Sequence, residues 1–211
     1  MVYLLYNRME NSWDSDTLNH YLRLMPDCFA RKIGHYRYPE DRQARITGRL
    51  LLIQGIHRLC CNLKLADIQY SSYGKPFFPG CNIRFSIAHS RSTVTCAISD
   101  EAEVGVDTEE TNTIQVSDYE RLIPKIIYKE IMRQPDRSRA FLYYWTSLEA
   151  TLKGEGTGLL MPVGDACIDN RYARVRNRTW YLQSFSLAEN NITTIASLKP
   201  IGQYRQLEVL L

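Results

Sequence analysis

No apolar run in the sequence approaches the ~18 consecutive residues of a membrane-crossing helix, so a membrane span is not expected. Charge of one sign is also lacking. Twenty-six Lys and Arg stand against twenty-three Asp and Glu, a net +3, which is too mild for the basic stripe of a nucleic-acid binder. Eleven Gly and eight Pro exclude collagen-like and low-complexity chains. The first residues have no basic front or long apolar centre, and Glu10 and Asp14 come early, so a secretory leader is not expected. The six cysteines lack any pattern: Cys60 and Cys61 are adjacent, while Cys28, Cys81, Cys96 and Cys167 are scattered. With neither a C-x-x-C pair nor zinc spacing, reduced thiols in a cytoplasmic chain are expected. The glycosylation sequons at Asn177 and Asn191 then carry no weight.

The composition is that of a globular protein, with 211 residues, 45% of them apolar, enough to bury a core. Residues 40–63 place Ile46, Leu50, Ile53 and Ile56 on one helical stripe, with Arg42, Arg45 and Arg49 together on another side. His57, near the apolar face, is expected at the core or its rim. Gly74 and Pro76 mark a turn. Alternating segments at 83–88 and 93–99 then read as a strand and its hairpin partner. A second round has a helical stretch at 118–133, interrupted at Pro124, and a strong helix at 138–153 built on Phe141, Leu142, Trp145, Leu148 and Leu152. Extended segments at 179–187 and 192–198 close it. Helix-then-hairpin twice implies an α+β fold of two similar halves, 1–105 and 106–211, packed side by side in a pseudo-twofold arrangement without a long linker.

Three clusters carry chemistry. In Gly105-Val106-Asp107-Thr108-Glu109 an extended backbone puts Asp107 and Glu109 on one face. Two such carboxylates repel and need a partner, for which oxygen-seeking Mg²⁺ is suited. A solvated strand end, with Glu110 as a third acid, is the plainer alternative. On the second long helix Trp145, Glu149 and Lys153 share a face at four-residue spacing. They form either a helix ion pair worth ~0.2–0.5 kcal/mol or a carboxylate and an ammonium aimed into a cleft. Gly154 and the glycines after it read as a helix stop, because no strand precedes them and no Gly-Lys-Ser/Thr ends them. Lys75, held in a turn by Pro76, and His89 with Ser90 at a strand end both offer donors to an anion. The excess of Arg and Lys between Arg23 and Arg58 is either a solvated face or a polyanion site.

In this order and spacing, these motifs resemble the 4′-phosphopantetheinyl transferases, nearest to the larger, monomeric, surfactin-synthetase-activating type, over roughly residues 31 to 168. The resemblance implies two similar halves with coenzyme A in the cleft between them. It implies a reaction that moves phosphopantetheine, with Mg²⁺, from coenzyme A to a serine of an apo acyl or peptidyl carrier protein, releasing adenosine 3′,5′-bisphosphate. Asp107, Glu109 and Glu149 would be the metal ligands. Lys153 and Lys75 would hold phosphates, His89 and Ser90 would lie near the nucleotide, and Arg45 would meet the 3′-phosphoadenosine end. Arg31 and Lys32 match further basic contacts loosely. Leu148 stands where the family commonly has Lys, and Ala88 where it often has Ser, so each removes a possible phosphate donor.

Attack of a serine on a pyrophosphate requires charge neutralisation, which a metal on the three acids and the two lysines would supply. The hydroxyl also needs a base, either Glu149 or Glu130. A non-catalytic module that binds coenzyme A or a carrier is the alternative, and the intact acidic trio argues against it. A Mg²⁺-dependent phosphohydrolase would share the acids but leaves the ordered lysine and histidine motifs unexplained. The segment 111–134, with Ile123, Ile126, Ile127 and Met132, is the expected carrier-docking surface.

Overall fold

The computed structural model describes residues 1–158, 166–202 and 204–211. It begins with strand β1 (Val2–Arg8), helices α1 (Ser15–Leu24) and α2 (Asp27–Gly34), and the arginine-bearing helix α3 (Pro39–Arg58). A small hairpin of β2 (Gln69–Tyr70) and β3 (Pro76–Phe77) leads into β4 (Arg84–His89), β5 (Thr93–Ser99) and β6 (Val104–Glu110). Helices α4 (Lys125–Met132) and α5 (Arg137–Glu155) follow. The strands β7 (Ala166–Ile168), β8 (Tyr172–Val175), β9 (Arg178–Phe185), β10 (Asn191–Ser197) and β11 (Tyr204–Glu208) complete the chain.

The architecture is α+β, as the alternating helical and strand periods require. One sheet has the order β11-β1-β5-β4 and the other β6-β10-β9-β8-β7. Strands β5 and β10, the two segments of matching alternation, each run buried along their whole length inside a sheet. Strands β1 and β11 are not anticipated by any pattern in the sequence. They pair in parallel from Val2 with Tyr204 to Tyr6 with Glu208, so the last strand lies on the first sheet. In β11 almost every residue is exposed, which leaves no apolar alternation to read. Helix starts follow ordinary chemistry: Asp14 caps α1 by accepting from Thr17 N at 2.8 Å, and Asp136 caps α5 by accepting from Arg139 N at 2.9 Å. His57 is exposed rather than part of the core. Among the described residues no helix is long and apolar enough to cross a membrane.

Helix α5 positions everything that follows. It lies directly on β6, because a Cβ at Gly105 would overlap the Ala150 carbonyl and the Gly154 amide. Its far end is clamped from below, where a Cβ at Gly154 would strike the buried ring of Trp180 on β9. Along its length Phe141 and Trp145 stack with ring centres 5.8 Å apart, and Tyr119 meets both rings. Thr146 shares a buried hydrogen bond of 2.8 Å with Thr194 of β10, directly across from Asp107. Gly156 ends the helix in the left-handed conformation, φ 85°, donating its N–H to the Leu152 carbonyl.

Gly105→Ala should therefore cost about 3 kcal/mol or more, the upper range for overpacking, since the obstacle is backbone that cannot turn aside. Urea unfolding would measure it. Gly202→Ala, where nothing lies within 4 Å of a new Cβ, is the neutral control.

Candidate active site

Strand alternation sends Gly105, Asp107 and Glu109 to the α5 side of β6. Once glycine lets the helix approach, the next two odd positions meet its acidic and basic face. Asp107 is only 3% exposed. Its Oδ1 accepts from Lys153 Nζ at 2.5 Å, and Glu149 Oε2 lies 3.7 Å from the same ammonium. The pair within α5 is thus the looser one, and the tight contact runs between helix and strand. Burial raises the Asp107 carboxyl above its usual range, with Lys153 pulling the other way. Glu109 is pushed up to about 8 by burial and by the negative charges of Asp107 and Glu149. The second Asp107 oxygen, Oδ2, is buried without a hydrogen-bond partner among the described residues.

Among the described residues no group of three His, Cys, Asp or Glu side chains is arranged to hold a metal ion as it stands. The cation held in the acidic patch is Lys153. The donor set nonetheless fits a hard divalent ion. It offers carboxylates from two elements, one buried oxygen lacks a partner, and the mutual repulsion falls when positive charge arrives.

On the other side of Lys153 a pocket of about 310 Å³ opens. Arg45 and Arg49 of α3, Lys75 and Tyr70 of the small hairpin, His89 of β4, and Lys153 line it, with no Asp or Glu among its described walls. Arg45 stacks over Tyr36 at 5.0 Å and keeps its Nε buried with no hydrogen-bond partner among the described residues, while Arg49 sits 5.2 Å over Phe29. His89 is pushed down to about 4, first by burial and then by the charges of Arg45 and Lys153, and so is neutral at neutral pH. Such a pocket suits an anion with several charges.

Four expected site residues, Arg45, Lys75, His89 and Lys153, therefore meet in one pocket, and Lys153 joins it to Asp107 and Glu149. Ser90 is not among the pocket residues. Its hydroxyl donates to Glu110 Oε1 at 2.9 Å, and the Ser92 amide and hydroxyl donate to the same oxygen at 2.6 and 2.7 Å. Glu110 is accordingly buried and bonded, not a solvated strand end. Lys75 already donates to Glu103 Oε2 at 2.6 Å and to the Gly154 carbonyl. Glu130 is exposed and lines a different hollow with Tyr143 and Asp169. Arg31 and Lys32 line a third hollow with Tyr36, and Lys32 lies 4.9 Å over Tyr70 at the edge of the main pocket. Leu148 and Ala88 both sit in apolar cores and neither lines the pocket. Arg49 and Tyr70 were not foreseen as site residues. The signal for Arg49 was its place one turn after Arg45, where the carbonyl of Arg45 now accepts from its guanidinium at 3.2 Å.

Fold and site together define an α+β protein with a basic pocket beside a buried acidic patch. The chain is similar to the 4′-phosphopantetheinyl transferase Sfp of Bacillus subtilis, at 31% identity over 137 residues, 63% of this chain and 60% of the relative. It is similar to the 4′-phosphopantetheinyl transferase gsp of Aneurinibacillus migulanus, at 26% over 173 residues, 80% of this chain and 72% of the relative. HetI of a Nostoc strain, of the same name, matches at 30% over 148 residues, 64% of this chain and 61% of the relative. The resemblance carried by the motifs is thus borne out. The match spans about 60% of the length of Sfp and HetI, and no protein-family model matches the chain.

Two outcomes follow from this geometry. The unfolded chain takes up a proton at His89 below the ordinary 6.5, whereas the native state resists it down to about 4. The His89 contribution to stability is whole above 6.5 and is lost as pH falls through 4. His89→Gln should therefore flatten the acid limb of a melting-temperature profile over that window. Lys153→Met strips Asp107 of its partner and should lower the stability of the metal-free protein by about 3 kcal/mol at pH 7. An unchanged denaturation midpoint would place the Asp107 contact outside the energetics of folding.

Proposed function

We propose that this chain transfers 4′-phosphopantetheine from coenzyme A to a serine of an apo acyl or peptidyl carrier protein, releasing adenosine 3′,5′-bisphosphate. The observation that carries this reading is the shared position of Lys153. It lines a basic pocket with no carboxylate among its described walls and also pairs with a buried acid. A phosphate chain and an attacking nucleophile are thus brought to the same ammonium.

In this reading coenzyme A lies in a cleft between two similar halves, 1–105 and 106–211, with β11 of the second crossing over to the sheet of the first. The match of β5 and β10, each buried within a sheet, supports the likeness of the halves. Arg45 and Arg49 take the phosphates of the nucleotide end, and neutral His89 offers one hydrogen bond without adding charge. Glu149, beside Lys153, accepts the proton of the carrier serine. The serine oxygen bonds to the phosphorus that bears pantetheine, the bridging P–O bond breaks, and the bisphosphate leaves with that electron pair. Lys153 donates to the oxygens on which charge builds. Asp107, Glu109 and Glu149 would hold Mg²⁺, which supplies neutralisation of the pyrophosphate when bound. The carrier docks along 111–134. There Ile123 is buried in the core and Ile126, 68% exposed beside exposed Leu122, is free to meet an apolar helix. One chain supplies every group of the site, which supports a monomer, and all six cysteines are free, in keeping with a cytoplasmic enzyme.

The decisive experiment weighs an apo carrier by mass spectrometry after incubation with the protein, coenzyme A and Mg²⁺. A gain of one phosphopantetheine, lost in Asp107→Ala, is expected. Coenzyme A binding without transfer to any carrier would favour the non-catalytic module instead. Arg45→Ala should raise KM for coenzyme A about tenfold, the worth of one charged hydrogen bond, with kcat little changed. The difference from wild type should shrink with dephospho-coenzyme A, and equal discrimination by both proteins would remove Arg45 from the 3′-phosphate.

A further inference from the structure

Among the described residues, Lys75 is the one basic group of the pocket paired with a carboxylate from outside the acidic patch. The hairpin that bears it is tightly closed. The Ser71 amide donates to the Lys75 carbonyl, the Lys75 amide to Ser71 Oγ, and Gly74 turns with φ 83°. From there the side chain runs across Gly156, and its ammonium reaches the Gly154 carbonyl at the negative end of α5. Glu103, one residue before β6, holds it there with Oε2 at 2.6 Å. The other oxygen, Oε1, accepts from Arg84 Nε at 2.6 Å, and Arg84 is itself fixed to the carbonyls of Cys81 and Ile83. The backbone of Glu103 is anchored too, its carbonyl accepting from Leu198 N at 3.1 Å. An immobilised carboxylate thus competes with any bound anion for Lys75.

We propose that Glu103 is a positioning residue of the transfer reaction, holding the Lys75 ammonium on the last turn of α5 so that the pocket grips the nucleotide less tightly than its full set of cations would allow. The inference rests on the reading of the pocket as a coenzyme A site. Its physical value lies in turnover. Cations that bind substrate, transition state and product alike do not accelerate the chemical step, and a bisphosphate product held by two arginines and two free lysines leaves slowly. A carboxylate that takes Lys75 back shortens that stay. Glu103 touches no reacting atom and acts only through Lys75.

The test uses the whole chain and the charge-deleting, shape-keeping variant Glu103→Gln. Calorimetry with adenosine 3′,5′-bisphosphate and with coenzyme A should show both binding about fivefold tighter than to wild type, the scale of a partly buried charge pair near the surface. In steady state KM for coenzyme A and kcat should fall together. Adding Lys75→Met to Glu103→Gln should abolish the gain. Arg84→Met, which removes the other partner of Glu103 and leaves Lys75 restrained, should bind no tighter than wild type. A merely structural brace would move both single variants the same way, toward a lower melting temperature and weaker binding. Unchanged or weaker binding by Glu103→Gln, with wild type binding coenzyme A normally, overturns the inference alone. Failure of wild type to bind either nucleotide overturns it together with the reading of the pocket.

Discussion

The structure turns on the absence of one side chain. At Gly105 the backbone of α5 rests on the backbone of β6, and any Cβ would occupy the space of the Ala150 carbonyl. Two residues further along the strand and one turn further along the helix, that separation decides which groups meet. Lys153 reaches Asp107 at 2.5 Å because helix and strand lie this close. A larger residue at 105 would lift the helix and open the pair even if the chain still folded. Gly154 does the same on the underside, where Trp180 fills the space a side chain would need. The helix is therefore held between a strand above and an indole ring below, with the Thr146–Thr194 hydrogen bond fixing its rotation.

That mechanical fact creates an electrostatic one. Three carboxylates are gathered in a patch where burial disfavours the charges of Asp107 and Glu109, and the described residues return one close ammonium, Lys153. Next to it Arg45, Arg49 and Lys75 join Lys153 around a pocket with no acid in its described walls. The two regions are complementary but are kept apart, and Lys153 is the group they share. A positive pocket and a negative patch that meet at a single ammonium form a steep gradient of charge across Lys153. Neutral His89 belongs to the same economy. Protonation beside Arg45 and Lys153 would add to a repulsion that burial already makes costly.

Much of this was legible in the chain, and the reasons differ by element. The faces of α5 and β6 followed from period alone: 3.6 placed Trp145, Glu149 and Lys153 together, and 2 placed Asp107 with Glu109. Those periods hold wherever the backbone is regular, so the acids did come to one patch. They do not say which neighbour an ammonium takes. Spacing offered Glu149 to Lys153, and the tighter partner came from another element 46 residues away. Ser90 shows the converse. It stands in the expected motif, yet its hydroxyl serves Glu110, because a buried carboxylate at a strand end requires donors and the β4–β5 turn supplies three. The β1–β11 pair was illegible for a simpler reason, since a parallel contact between the two ends of the chain leaves no local pattern.

The two departures from the family pattern take on a different meaning once packing is known. Leu148 and Ala88 looked like lost phosphate donors, but each belongs to an apolar cluster on the far side of its element from the pocket. Leu148 is packed among the residues that hold α5 to the second sheet, and Ala88 lies among Leu4, Val104 and Val106 between the two sheets. A lysine buried at 148 would carry an unpaired charge into a core that otherwise fixes Glu149 and Lys153. In this chain the basic character of the pocket is instead supplied by α3, where Arg45 and Arg49 stand one turn apart over the rings of Tyr36 and Phe29. Lys75 and Lys153 complete the cations of the pocket, so neither Leu148 nor Ala88 bears on its charge. Helix α5 is thus apolar where it packs against the second sheet and meets β6 through the ionic side chains of Glu149 and Lys153.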